Sequence, residues 1–295
     1  MSPRIVALGG GHGLYATLSA ARRITPHVTA IVTVADDGGS SGRLRSELDV
    51  VPPGDLRMAL AALASDSPHG RLWATIIQHR FGGSGALAGH PIGNLMLAGL
   101  SEVLADPVAA LDELGRILGV KGRVLPMCPT GLSIEADVVG LEADPRVSRA
   151  IRGQVAIATT VGKVRRVRLL PSDPPATRQA IDAIMNADLV VLGPGSWFTS
   201  VIPHVLVPEL AAALRSTAET LLEAEETLST ELRAQSQQLA EEDELQQLHA
   251  TLMDRRAALR RYALDLHRVE TSLVEALDAA LPLLRAADSV TNGTE

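Results

Sequence analysis

Ile5-Val6-Ala7-Leu8-Gly9-Gly10-Gly11-His12-Gly13 decides how this chain is read. Four apolar residues, the length of a short buried strand, run straight into a glycine turn. Residues 14–23 then have helical spacing, with Leu14, Leu18 and Ala21 on one face. A second apolar run, 28–35, follows. Strand, turn, helix and strand make a βαβ unit, which requires a parallel sheet. The turn lies where backbone amides and the helix dipole can hold an anion. It is not the full G-x-G-x-x-G pattern. His12 sits in the turn as either a solvated or a ligand-contacting residue.

The second strand delivers Asp36-Asp37-Gly38-Gly39-Ser40-Ser41-Gly42-Arg43-Leu44-Arg45, and Val51-Pro52-Pro53-Gly54-Asp55 closes the stretch. Glycine lets backbone N–H groups approach a ligand. Serine adds neutral donors, and the guanidiniums of Arg43 and Arg45 match phosphate oxygens. Asp36 and Asp37 suit Mg²⁺ or a sugar hydroxyl. In open parallel sheets ligands bind beyond the carboxyl ends of the strands. Two glycine-rich loops leaving one edge therefore point to a phosphate-bearing ligand.

Residues 55–64 read as a helix begun by Asp55, an N-cap or a ligand contact. Arg57 lies in its first turn, against the dipole, which hints at an anionic partner. Further helices are expected over 70–81, 95–105 and 107–118. His90 and Asn94 stand at the start of the third of these four helices, either capping it or meeting the ligand. Strands are expected over 123–127, 133–139, 154–160 and 164–170, then a helix over 176–187. A buried-type strand over 189–192 ends in Gly193-Pro194-Gly195-Ser196-Trp197-Phe198-Thr199-Ser200. Strand, glycine turn, hydroxyls and helix thus recur. Trp197 and Phe198 either stack on a base or anchor the loop, and in so aromatic-poor a chain the anchor is expected.

The chain has 295 residues, 46% hydrophobic but only 2% aromatic, so its core must be aliphatic. A net charge of −7 argues against a broad nucleic-acid surface. The one cysteine, Cys128, excludes an internal disulfide and fits a reducing compartment. No signal peptide and no membrane-length apolar run is read, so a cytoplasmic protein is expected. From 209 to 281 there is neither Gly nor Pro, and Leu245, Leu252, Leu259, Leu266 and Leu273 recur every seven residues. That is a coiled-coil or helical-hairpin pattern. An acidic arm facing a basic one favours antiparallel pairing or self-association, so a homo-oligomer is expected. The expected organisation is a Rossmann-like α/β domain over 1–214, with a mostly parallel sheet and helices on both faces. A helical segment over 215–288 and a disordered tail over 289–295 follow it.

Taken in order, these motifs resemble the YvcK/CofD-like family, also called gluconeogenesis-factor-like proteins. The resemblance is carried by Gly9-Gly10-Gly11-His12-Gly13-Leu14, residues 32–45, Pro52-Pro53-Gly54-Asp55-Leu56-Arg57, residues 90–95, Arg123-Val124-Leu125-Pro126 and residues 193–203. It covers roughly the first 210 residues and leans to the YvcK branch. It implies a cytoplasmic protein that binds UDP-glucose or UDP-N-acetylglucosamine. Roles in carbon metabolism, cell shape and peptidoglycan precursor supply are implied too, with a cell-wall precursor enzyme or a kinase as partner. The binding reading requires no cofactor. The ligand set expected is Gly9, Gly10, Gly11, His12, Gly13, Asp37, Gly38, Gly39, Ser40, Ser41, Arg43, Arg45, Asp55, Arg57, His90, Asn94, Gly193, Gly195, Ser196, Thr199 and Ser200. The diphosphate is expected on the amides of the two glycine turns. A phospholactyl-transferase relative keeps open an alternative, a Mg²⁺-dependent nucleotidyl- or phospho-group transferase with Asp36, Asp37 and His90 as catalytic candidates and Asp36 and Asp37 as metal ligands. A scaffold using the helical segment is the third reading.

Overall fold

β1 (Ile5–Gly9) is buried along its whole length, because its side chains alternate between two cores. Ile5 and Ala7 face one core; Val6 and Leu8 face the other. This computed structural model describes residues 2–142, 144 and 147–218. The chain divides into two compact units, Met1–Leu214 and Arg215–Glu295. The leucine repeat and the terminal tail lie outside the described residues.

α1 (Gly11–Ala21) follows β1 and buries Leu14, Leu18 and Ala21 as its spacing predicts. β2 (Val28–Val32) pairs parallel with β1, Ile5 beside Val28 and Gly9 beside Val32. Four helices then intervene: α2 (Gly39–Leu48), α3 (Pro53–Leu63), α4 (Pro68–Gln78) and α5 (Ile92–Leu104). α6 (Pro107–Leu118) leads to β3 (Arg123–Pro126), which pairs parallel with β2. β4 (Ser133–Val139), β5 (Ser148–Arg152), α7 (Gln154–Thr159), β6 (Lys163–Leu170) and α8 (Arg178–Met185) follow. β7 (Leu189–Leu192) returns to pair parallel with β1. A π-turn (Trp197–Val201), α9 (Ile202–Val205) and α10 (Pro208–Ala218) close the described chain.

The main sheet has the order β3-β2-β1-β7, and every pairing in it is parallel. α1, α3 and α6 supply the first core on one face. The second core gathers α8, α10 and a three-stranded antiparallel sheet, β5-β4-β6. In β4, Ile134, Ala136 and Val138 turn inward. Glu135 and Asp137 turn outward, both paired with Arg168. Among the described residues no single helix is long and apolar enough to cross a membrane.

Two expectations fail, each for a tertiary reason. Residues 154–160 have strand-like Val and Ile, yet 154–159 form α7. Gly153 turns the chain at φ 106°, and the Asp37 carboxylate, 118 residues away in sequence, accepts the Val155 N–H at 3.1 Å. The strand lies just before, at β5, an exposed edge whose pairing to β4 the alternation did not reveal. The glycine-serine stretch is also no open loop throughout: from Gly39 it winds into α2.

Candidate functional site

The two glycine turns touch. A Cβ built on Gly13 would lie 2.0 Å from the Pro194 carbonyl oxygen, so only glycine lets these backbones meet. Thr17 ties them further, its hydroxyl within 3.2 Å of the Gly13 and Gly193 carbonyls. The turns leave adjacent parallel strands at their carboxyl ends, where ligands of open α/β sheets collect.

Three more helix starts join this edge. The Gly54 amide, in the first turn of α3, donates to Ser41 of α2 at 3.0 Å. Asn94, in the first turn of α5, donates to Ser40 of α2 at 3.0 Å. Asp55 of α3 lies against Gly10, its Oδ2 2.5 Å from where a Cβ there would sit. None of α1, α2, α3 and α5 carries a side-chain hydrogen-bond cap from its own N-cap residue. α4 and α6 do, from Ser67 and Asp106. Uncapped first turns leave amide donors and positive dipole ends, which together suit an anion.

Arg57 supplies full charge. Its residue is only 4% exposed, and no ion pair to it occurs among the described residues. Its Nε donates to Asn94 Oδ1 at 2.9 Å. Burial and then the charge of Arg80 lower its pKa to about 10, so it stays cationic at neutral pH.

That bond sets a chain of roles. A guanidinium only donates, so Asn94 presents oxygen to Arg57 and its amide nitrogen to Ser40. Ser40 accepts there, and its hydroxyl also shares a hydrogen bond with His90 Nδ1, 2.8 Å away. Burial, then Arg43, push the pKa of His90 below the ordinary value, which favours the neutral ring. Arg57, Asn94, Ser40 and His90, drawn from three sequence motifs, thus form one buried network.

Other expected residues are placed differently. Arg45 is spent on the Leu132 carbonyl and the Ser133 hydroxyl, pinning α2 to β4. Arg43 holds the Ala88 carbonyl at 2.8 Å in the glycine loop before His90. Asp36 accepts the Gly38 amide at 2.9 Å, whereas Asp37 starts α7. Among the described residues no group of three or more His, Cys, Asp or Glu is placed to hold a metal. Thr199 and Ser200 are buried, while His12, Gly195 and Ser196 are open to solvent. Of the two aromatic neighbours, Phe198 packs on the second core but Trp197 does not; the anchor is Phe198 alone.

Two further buried groups lie here. Thr33 Oγ1, just after β2, has no hydrogen-bond partner among the described residues. His204 is fully buried, with Nε2 3.2 Å from the Ile31 carbonyl, which fixes α9 to β2. His204 lies outside the motifs, and only the order of elements brings it here.

Asp55 has a measurable signature. Burial, then the charge of Asp36, raise its pKa to about 6, although a Gly11 amide bond and Arg57 oppose this. A carboxyl raised on folding holds its proton more tightly in the native state. Its contribution is complete below about pH 4 and lost as pH rises to about 6. His204, lowered by burial to about 4, acts oppositely, costing stability as pH falls from 6.5 toward 4. Asp55→Asn keeps an acceptor for Gly11. It is expected to stabilise the protein at pH 8 by about 1–2 kcal/mol, discounted for partial exposure. Urea titrations should show that gain shrink through pH 6 and vanish below about pH 4, leaving the variant with the steeper acid loss.

The family profile described as 2-phospho-L-lactate transferase CofD matches residues 5–281. The chain belongs to the CofD family. A Mycobacterium tuberculosis relative, named as a gluconeogenesis factor, is 90% identical over 218 residues, 74% of this chain and 64% of its own. The Bacillus subtilis gluconeogenesis factor is 42% identical over 208 residues, 70% of this chain and 62% of its own. A crystal structure of a UPF0052-family protein from Bacillus halodurans superposes with a TM-score of 0.66 at 40% identity, covering 72% of this chain and 65% of that one. This CofD-family chain therefore spans a little under two thirds of the length of these relatives.

Proposed function

We propose that this chain binds a nucleotide sugar, UDP-glucose or UDP-N-acetylglucosamine, and acts as a cytoplasmic regulator linking carbon metabolism to cell shape and peptidoglycan precursor supply. The observation that carries the binding reading is Arg57: a buried cation with no ion-pair partner among the described residues, beside helix starts that have no side-chain cap from their own N-cap residues. A buried charge is costly unless paired, and a diphosphate is the counter-ion this setting suits. Because Asp55 already takes the Gly11 amide, the diphosphate is assigned to the α2 and α5 starts and the second glycine turn, near Arg57. The relatives' gluconeogenesis-factor name supports the regulatory role. Isothermal calorimetry with UDP-N-acetylglucosamine tests it. Saturable heat below millimolar ligand is expected; no heat from demonstrably folded protein would refute it.

A second reading is a nucleotidyl- or phospho-group transferase, supported by the family profile and by the hydrogen bond between Ser40 and His90. Such transfers depend on positioning and charge stabilisation. Ser40–His90 would move a proton, with Asp55 as a second acceptor near neutral pH. Turnover of UTP with a sugar phosphate, lost in His90→Ala, would favour this reading; binding without turnover favours the regulator.

A further inference from the structure

The chain holds only two tryptophans, and their settings differ. Trp73 packs against the first core, its ring centroid 6.2 Å from that of His69. Trp197 belongs to neither core and is 46% exposed. It is nonetheless firmly mounted. Phe198, its neighbour, packs on the second core, and Thr199, Ser200 and Val201 are buried. The amides of Ser200 and Val201 both donate to the Ser196 carbonyl, at 2.8 and 3.2 Å. Short π-turns of this kind are uncommon and concentrate at functional sites.

The mount stands beside the proposed diphosphate site. Trp197 follows Gly195 by two residues, and a Cβ on Gly195 would lie 4.0 Å from the Gly10 carbonyl oxygen. Pro194 abuts Gly13. α7 packs against the π-turn and brings a second exposed apolar side chain, Val155. One Val155 methyl lies 3.0 Å from the Cβ position of Gly38, just before α2. An exposed indole on a firmly held backbone thus borders the rim where a nucleotide's charged end would bind.

We infer that Trp197 is the platform on which the nucleobase of the ligand stacks. The inference rests on the nucleotide-sugar reading and adds to it the residue that meets the base. Stacking uses the π-face that every base has. Trp197 therefore selects nucleotides over base-free phosphates and does not choose among bases.

Calorimetry on the full chain tests this, with UDP-N-acetylglucosamine and with pyrophosphate as the base-free probe. Trp197→Ala is expected to weaken UDP-N-acetylglucosamine by about 5- to 100-fold. Trp197→Phe should recover part of that loss, and pyrophosphate affinity should be unchanged in both variants. Tryptophan fluorescence of the wild type should change on adding the nucleotide sugar, and that change should vanish in Trp197→Ala. Equal affinity of the wild type and Trp197→Ala for the nucleotide sugar overturns the inference. So does an equal loss of pyrophosphate binding, which would mark a structural role. A wild type that takes pyrophosphate but no nucleotide sugar defeats the nucleotide-sugar reading itself, and this inference with it; so does one that takes neither.

Discussion

Arg57→Met is expected to weaken nucleotide-sugar binding by about 100-fold or more while the ligand-free protein stays folded. Removing one partner of a buried, hydrogen-bonded charge pair costs about 3–5 kcal/mol. In the bound state the diphosphate would be that partner. In the free state no ion pair to Arg57 occurs among the described residues, so it has its bond to Asn94 and a longer-range attraction to Asp55 to lose. Methionine fills a similar volume and removes a desolvated charge. Against that gain stands an Asn94 oxygen left without its donor, worth about 1–3 kcal/mol. The two terms nearly offset, so free-state stability should move by less than about 2 kcal/mol. Calorimetry and urea denaturation on one preparation separate them. A variant that binds as well as the wild type would show that Arg57 is not the anion's partner.

Gly13→Ala is expected to be strongly destabilising for a single added methyl. Its Cβ would enter backbone on the far side, 2.0 Å from the Pro194 oxygen and 2.6 Å from the Pro194 carbonyl carbon. Neither atom can swing away as a side-chain tip would. The turns must part, and with them the Thr17 contacts to Gly13 and Gly193. Overpacking against well-placed atoms costs about 1–3 kcal/mol, and backbone contact should push this case to the top of that range or beyond. For a domain of this size that corresponds to a Tm lower by about 6–12 °C. Gly85→Ala is the control, since nothing lies within 4 Å of its Cβ position. If both variants melt like the wild type, the turns are not in the contact described.

Local pattern carried most of the fold. The βαβ unit, the second glycine turn and the aliphatic core all follow from residues near one another in the chain. The misreadings share one cause, a partner remote in sequence. Residues 154–159 are helical partly because Asp37 supplies what local residues do not. Arg45 looked like a phosphate ligand because nothing nearby announced Leu132 and Ser133. The site divides the same way. Arg57, His90 and Asn94 were each legible as polar residues at helix starts, and Ser40 as a hydroxyl in a glycine-rich loop. That they form a single network, with Arg57 fixing the amide of Asn94, is visible only once α2, α3 and α5 meet. Trp197 shows the limit most plainly, since an anchoring and an exposed tryptophan look alike in a sequence.

The central claim is that one rim of the parallel sheet holds a diphosphate beside Arg57. A crystal structure of this chain soaked with UDP-N-acetylglucosamine tests it most directly. The account predicts phosphate oxygens within hydrogen-bonding reach of the Arg57 guanidinium and of first-turn amides of α2 or α5. A well-ordered diphosphate bound elsewhere, with Arg57 still unpaired, would contradict it.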